Sequence, residues 1–128
     1  MKIAWFTPFG VSSAIGSYSQ EIVESLVLRD EVTLFVSNGD IAGLDVRKTG
    51  VPIVGFDEAS LSQTCDRIRD FDIVVYNMGD YFHYHELPFL TKARVPGIVV
   101  LHDVVMRDFY RGYCDLYLNE YKLFQRFQ

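Results

Sequence analysis

Two apolar runs constrain the fold of this chain more than any other feature. Residues 73–76 (IVVY) and 96–101 (PGIVVL) are continuously apolar and rich in β-branched side chains, with no alternation of apolar and polar residues. A strand of this kind is typical of parallel sheets, in which both faces are covered. Parallel strands need long crossover connections, usually helices, so the two runs predict an α/β domain.

The rest of the chain supplies alternating strand and helix patterns. Strands are predicted at residues 2–6, 32–36, 51–56, 72–77 and 96–101. Helical spacing of apolar residues starts at Ser17, which with Gln20 three residues later predicts an N-cap and capping box. Further helices are predicted from a cap at Asp57 or Ser60 to about residue 69, over 84–93, and from 104 to the end, whereas 40–50 resembles a loop.

This order of elements predicts a Rossmann-like, doubly wound parallel sheet with helices on both faces. The right-handed crossover rule leaves few topologies, and the favoured strand order is 3-2-1-4-5. With 128 residues, of which 49% are hydrophobic and 23% charged, the chain fits one domain covering residues 1–128.

Charge and composition indicate which kinds of binding partner and which cellular location to expect. The formal charge of −5 argues against nucleic acid, because phosphate backbones are bound by clusters of Lys and Arg. No run approaches the ~20 apolar residues of a transmembrane segment, and the first residues lack the features of a signal peptide. A cytoplasmic location is therefore expected. Cys65 and Cys114 have no CxxC spacing, which predicts reduced thiols that are buried or half-buried.

A ligand site is expected where the strand order reverses, beyond the carboxyl ends of the first and fourth strands. Three segments rich in polar and small residues are predicted to converge there: 7–16, 77–83 and the pair His102-Asp103. His102 can donate to a hydroxyl or a phosphate, and Asp103 can orient a polar substrate. Alternatively, His102 caps the next helix or bonds a loop carbonyl.

Known site motifs are mostly absent. Gly16 at a helix start could bind an anion through free backbone N–H groups, but by itself this feature favours the simpler interpretation that Gly10 and Gly16 only form the turn. The chain has no GxxxxGK[ST], no GxGxxG and no GxSxG, which argues against a P-loop, a dinucleotide site and a serine hydrolase. His83-x-His85 lacks a third ligand nearby, so no metal site is predicted. His83 is instead expected to line the cleft and His85 to begin or cap a helix.

The C-terminal residues carry aromatic side chains at helical spacings. They predict a helix that packs an aromatic face on the core, or a face that covers more of the polypeptide or a second copy. Self-association of the chain is therefore left open. The residues concerned are Tyr110, Tyr113, Tyr117, Tyr121, Phe124 and Phe127.

Three segments of the chain carry recognisable motifs. Residues 13–19 are SAIGSYS, residues 76–80 are YNMGD, with His83 following, and residues 96–103 are PGIVVLHD. In this order they resemble the S-G-I-x-x-Y-S loop and helix start, the Q-x-G-N…H segment and the P-G-V-V-V-L-H-D strand of family 4 (group 1) glycosyltransferases. The order and the predicted elements agree, and the resemblance spans essentially the whole chain. In one departure, Ala14 stands where the family usually has glycine, which puts close phosphate approach in doubt.

The resemblance implies the N-terminal, acceptor-side domain of a two-domain GT-B enzyme that retains anomeric configuration. Such an enzyme transfers a sugar from a nucleotide-sugar donor, activated by UDP or GDP, to a glycan or lipid-linked acceptor. It needs no metal ion and no further cofactor. The paired-glutamate motif E-x7-E of the donor domain is missing here, so the chain alone is expected to be inactive. The alternative is a stand-alone binding or interaction module with the same fold.

The resemblance also assigns residues by position. Backbone N–H groups would face the donor diphosphate, and His102 would approach the donor sugar. The assigned residues are Ala14, Ile15 and Gly16 for the diphosphate, His102 and Asp103 for catalysis, and Asn77, Gly79 and His83 on the acceptor side.

Overall fold

The computed structural model describes residues 1–43 and 46–118. In this part of the chain the strands are β1 (Lys2–Phe6), β2 (Glu31–Ser37), β3 (Ile53–Phe56), β4 (Ile73–Met78) and β5 (Ile98–Leu101). The helices are α1 (Ala14–Leu26), α2 (Asn38–Gly43), α3 (Leu61–Ile68), α4 (Phe82–Arg94) and α5 (Arg107–Tyr113), and a π-helical segment, Cys114–Leu118, continues α5.

The five strands form one parallel sheet in the order β3-β2-β1-β4-β5. The central strand β1 pairs on both sides, so that Ile3 lies opposite Val32 of β2 and Ile73 of β4. Helix α1 packs on one face, while α3, α4 and α5 pack on the other. The predicted α/β class, Rossmann-like doubly wound architecture and strand order are therefore confirmed.

Side chains that alternate along β1 divide the core into two layers. Phe6 points toward α3, α4 and α5, stacks on Phe35 with ring centroids 4.8 Å apart, and contacts Tyr76. Trp5 points toward α1, where its indole N–H donates to Ser19 Oγ at 2.9 Å. Because both faces of β1 and β4 are covered, their near-continuous apolar sequences match their positions.

Helix boundaries correct two local predictions. Helix α1 begins at Ala14, and its N-cap is Ser13, whose hydroxyl accepts from the N–H of Gly16 at 3.0 Å. The prediction of Ser17 as N-cap is therefore wrong, because a cap with a suitable hydroxyl occurs one turn earlier. Gln20 donates to Glu24 along the helix and forms no capping box. Residues 38–43, predicted partly as loop, form α2.

The second predicted cap lies where expected, before α3. Asp57 and Ser60 bond reciprocally: the N–H of Asp57 donates to Ser60 Oγ at 2.9 Å, and the N–H of Ser60 donates to Asp57 Oδ1 at 2.8 Å. These bonds lower the pKa of Asp57, with the Ser60 N–H as the largest contribution. The pair stabilises the turn that leads from β3 into α3.

Strand β5 is less covered than its sequence suggested. Ile98 is 55% exposed and Leu101 61%, although Val74 and Val75 of the neighbouring β4 are buried. The reason is the path of the chain after β5: α5 packs against α4, and no described strand pairs with the outer edge of β5. The domain therefore presents an apolar edge, a surface of the kind that often contacts further protein.

The structure describes three of the six C-terminal aromatic residues. Tyr110 and Tyr113 pack against the core, as one of the two predictions for this segment required. Tyr117 is 38% exposed; its ring contacts Tyr113 and its hydroxyl donates to Glu86. Tyr121, Phe124 and Phe127 lie outside the described residues. Cys65 in α3 and Cys114 are both buried and free, in agreement with the sequence.

The described helices are short. The longest, α1 and α4, have 13 residues each, whereas a helix that crosses a bilayer needs about 20. Within residues 1–43 and 46–118, no helix has the length and apolar character of a membrane span.

Candidate functional site

The carboxyl ends of β1, β4 and β5 meet at a cleft of about 450 Å³, at the edge where the strand order reverses. The walls come from the start of α1, the β4–α4 connection with the first turn of α4, and the residues after β5. The three segments predicted to converge therefore do meet. The wall residues used below are Ala14, Ile15, Asp80, His85, His102 and Asp103.

Asn77, at the end of β4, organises the floor of the cleft and is fully buried. Its Nδ2 donates to the carbonyl oxygen of Phe6 at 2.9 Å, so its Oδ1 is the acceptor for His102 Nε2, 3.0 Å away. His102 therefore carries its proton on Nε2. Because Asn77 is enclosed by protein, its side chain positions other groups and does not reach a ligand.

The main-chain oxygen of Asn77 holds a second histidine. His85 Nδ1 lies 3.1 Å from this oxygen, and because a carbonyl can only accept, Nδ1 carries the hydrogen. Burial lowers the pKa of His85 to about 4, so the ring is neutral at physiological pH and Nε2 keeps its lone pair. The two histidines are thus held in opposite tautomers by one asparagine.

His85 was expected only to begin or cap a helix. It lies in the first turn of α4 and is 1% exposed, yet it contributes to the cleft wall. Its Nε2 has no hydrogen-bond partner among the described residues. The helical spacing did indicate a place for His85 in the cleft, because it follows Tyr81, another residue of the cleft wall, by one turn. The direction of its side chain, however, depends on the bond to Asn77.

Gly79 explains how the walls come so close together. A Cβ at this position would lie 2.9 Å from both Asp103 Oδ2 and Ile15 Cδ1, and 3.0 Å from His85 Nε2. Asp103 and Ile15 belong to the other two converging segments, and His85 belongs to the first turn of α4. A side chain at residue 79 would therefore push the walls apart, so glycine is required by close approach.

Two carboxylates tie the cleft to α5. Asp103 Oδ2 accepts from the N–H of Asp80 at 2.7 Å, and Asp80 Oδ1 accepts from the N–H of Phe109, in the first turn of α5, at 2.9 Å. Asp80 thus acts as a cap supplied from a distant part of the chain. Asp103 keeps its second oxygen without a hydrogen-bond partner among the described residues.

His102 is partly buried, and three contacts hold it in place. Its N–H donates to the carbonyl of Met78 at 2.8 Å, its ring meets that of Tyr18 edge to face with centroids 4.7 Å apart, and its Nε2 bonds Asn77. Burial lowers the pKa of His102, and Asp103 opposes this change. The alternative in which His102 caps the next helix is not what the structure shows, because α5 begins at Arg107.

The start of α1 offers fewer free N–H groups than the sequence suggested. The N–H of Gly16 is already bonded to Ser13 Oγ. A Cβ at Gly16 would lie 3.1 Å from Pro8 O and Arg47 Nε, so this glycine serves the packing of the loop. The N–H groups of Ala14 and Ile15 have no intrahelical acceptor, and none is found elsewhere in the described residues.

Arg47 was not singled out from the sequence, because it lies in the stretch predicted as a loop. Its guanidinium donates to Val11 O at 2.8 Å, to Ser13 O at 3.2 Å and to Ser17 Oγ at 2.7 Å. An isolated bridge between Gly10 and Val46 brings it there. Arg47 therefore fixes the loop that precedes α1.

Comparison with models of protein families, with curated proteins and with solved structures gives no match. The resemblance to glycosyltransferases thus remains an expectation, and a proposal of function depends on the geometry of the cleft.

His83 lies apart from this cleft. It is exposed and lines a neighbouring cleft of about 580 Å³, between the start of α4 and α5, together with Asp108, Arg111 and Asp115. His83 thus lines this neighbouring cleft, which shares Asp80 and Tyr81 with the cleft at the strand ends. In the part of the chain that the structure describes, no three His, Cys, Asp or Glu side chains are grouped closely enough to hold a metal ion.

The groups in the cleft define the chemistry of a matching ligand. The N–H groups of Ala14 and Ile15 at a helix start favour an anionic group. The same cleft also contains His85 Nε2 and the carboxylate of Asp103, which can accept hydrogen bonds. A ligand that combines an anion with hydroxyl groups, such as a sugar phosphate, meets both requirements.

Proposed function

We propose that this domain is the acceptor-side domain of a retaining glycosyltransferase. The enzyme would transfer a sugar from a nucleotide-sugar donor to a glycan or lipid-linked acceptor. The observation that carries the proposal is the convergence of the three family-like segments on one cleft, where Asn77 joins β1, His85 and His102. Parallel topology accounts for the shared edge of the sheet, and the bond from His102 Nε2 to Asn77 Oδ1 adds a direct link between two of the three segments.

The polarity of the cleft supports this assignment. In the transfer step, negative charge develops on the leaving diphosphate, and backbone N–H groups at a helix start stabilise such charge without reorganisation. Ala14 and Ile15 supply these groups. Ala14, which stands where the family usually has glycine, is exposed. His102, held through Nε2, lines the cleft where the donor sugar would lie.

The rim of the cleft supports a two-domain arrangement. Val104 and Val105, directly after His102-Asp103, are strongly exposed apolar residues. Exposed apolar residues beside a ligand cleft are typical of surfaces that a second protein surface covers. The donor domain of the proposed enzyme would provide that surface, and this chain without it would bind substrates weakly and transfer no sugar.

The proposal can be tested by NMR titration of the isotope-labelled chain with UDP-glucose, GDP-mannose and NAD. A nucleotide sugar is expected to shift the amide signals of Ile15, Gly79 and His102. Signals around Thr33 and Val51, which line a separate cleft, provide the internal control and should not move. NAD should produce no comparable shifts, because no dinucleotide motif is present.

The variant His102→Ala provides the second part of the test. Since His102 is only partly buried, the variant should fold and lose the shifts caused by the nucleotide sugar. Binding of NAD at the cleft, or binding of no nucleotide sugar, would contradict the proposal. Sugar transfer by the 128-residue chain alone would contradict the expectation that it needs a donor domain.

A further inference from the structure

His85 has a feature that the proposed function does not use. Its Nδ1–H is occupied by the carbonyl of Asn77, while its Nε2 has no partner among the described residues. Within these residues, Arg47 Nε is the one fully enclosed side-chain N or O atom without a hydrogen bond. His85 Nε2 is therefore open to the cleft that His85 lines.

We propose that His85 is a binding residue of the cleft, whose Nε2 accepts a hydrogen bond from a hydroxyl group of the sugar. This inference rests on the proposed function, and it names the part of the donor that His85 contacts. Asn77 has a corresponding positioning role, because its carbonyl fixes the tautomer that leaves Nε2 as the acceptor.

The surroundings of Nε2 select a hydroxyl group. Gly79 allows His85 Nε2 and Asp103 Oδ2 to lie close together, because a Cβ at residue 79 would be within 3.0 Å of both atoms. Both atoms are acceptors, so the ligand must supply the hydrogens, and an anionic oxygen placed here would be repelled. Sugars carry neighbouring hydroxyl groups, which can satisfy two adjacent acceptors at once.

Burial, and not the charged groups nearby, keeps the ring of His85 neutral. His102 lowers the pKa of His85 and Asp103 raises it, but burial has the largest effect and keeps His85 unprotonated at neutral pH. An imidazolium would have no lone pair to offer. The geometry and the protonation state thus agree on the same role.

Two variants separate the two ring nitrogens of His85. In His85→Asn, the side-chain amide can occupy the position of Nδ1 and keep the bond to Asn77, but the acceptor in the cleft is lost. In His85→Gln, the amide oxygen can reach the position of Nε2, but the bond to Asn77 is lost. If His85 binds the ligand, His85→Asn should lose binding and His85→Gln should retain it. If His85 has a purely structural role, His85→Asn should retain binding and His85→Gln should lose it.

The measurement is a titration with UDP-glucose and, separately, with glucose 1-phosphate, followed by NMR. Affinity should fall about five- to tenfold in His85→Asn, the equivalent of one neutral hydrogen bond, and change less than about threefold in His85→Gln. In the wild-type chain, long-range proton–nitrogen spectra should show His85 as the Nδ1–H tautomer, and ligand should shift its Nε2 signal. This second readout applies even if a variant does not fold.

The outcomes distinguish the inference from the proposed function. Unchanged affinity in His85→Asn, or an unmoved Nε2 signal in a complex that forms, would overturn the role of His85 and leave the function standing. Loss of binding in both variants would assign His85 a positioning role and would also overturn the inference. Glucose 1-phosphate that moves Nε2 while no nucleotide sugar binds would support the inference and contradict the function. No response to either ligand would overturn both.

Discussion

Replacing Asn77 by alanine is the most direct test of how the cleft is built. The substitution removes the donor to Phe6 O and the acceptor for His102 Nε2, but it keeps the main-chain carbonyl that holds His85. It therefore separates the two side-chain bonds from the backbone bond. Since Asn77 is 0% exposed, water cannot replace the lost partners without a rearrangement.

The magnitude follows from the burial of each bond. Loss of a buried partner that leaves a carbonyl oxygen unsatisfied costs about 1–3 kcal/mol, and loss of the partly buried bond to His102 costs about 0.5–1.5 kcal/mol. We expect Asn77→Ala to lower the free energy of unfolding by about 2–4 kcal/mol. A domain of this size is stable by only about 6–19 kcal/mol, so the loss is a large fraction of the total.

The assay is urea unfolding followed by the fluorescence of Trp5, the one tryptophan of the chain, which lies in the buried part of β1. With a slope of about 2 kcal/mol per M urea, the midpoint should fall by about 1–2 M. Asn38→Ala is the matched control, because Asn38 donates its amide to Asp57 Oδ2 at an exposed site. Its effect should stay within about 0.5 kcal/mol. Equal midpoints for the two variants would refute the central role of Asn77.

Two further predictions concern the same cleft. Gly79→Ala should lower the free energy of unfolding by about 1–3 kcal/mol, because the added methyl group overpacks against Asp103 and its neighbours. Gly50→Ala is the control and should leave the free energy of unfolding unchanged, because the space around Gly50 is open. Equal urea midpoints for the two variants would contradict this prediction. The pKa of His85 is lowered from 6.5 to about 4 in the folded chain, so its contribution to stability is complete above pH 6.5 and is lost as the pH falls toward 4. The loss amounts to roughly 3 kcal/mol, and His85→Asn should remove this part of the pH dependence of urea unfolding; an identical dependence in the variant would contradict it.

The predictions from sequence that held are those that depend on periodicity. Continuous apolar runs identified β4 and β5, and the alternation of strands and helices led to the order of the sheet. The errors came from local choices between similar residues. Ser13 and Ser17 are both acceptable caps, and only the position of the preceding loop, fixed by Arg47, decides that Ser13 is used.

The site was predicted at the level of segments and less well at the level of side chains. The convergence of three segments follows from parallel topology, because the carboxyl ends of neighbouring strands share one edge. His83 and His85 could not be separated in this way, since both are near the start of α4 and differ only in the face of the helix that they occupy. The structure places His85 in the cleft and His83 outside it.

By itself, the sequence determined the class of fold, the order of the strands and the edge of the sheet at which the three polar segments converge. These features depend on the pattern of apolar residues within short stretches of sequence and on the right-handedness of the crossover connections. Both apply to any chain with the same arrangement of apolar residues. Only the tertiary structure decided which atoms meet: Asn77 bonds the carbonyl of Phe6, 71 residues away, and thereby fixes the acceptor offered to His102. Long-range hydrogen bonds of this kind produce no periodic pattern in the sequence, because each bond depends on how elements that are distant in the chain pack together.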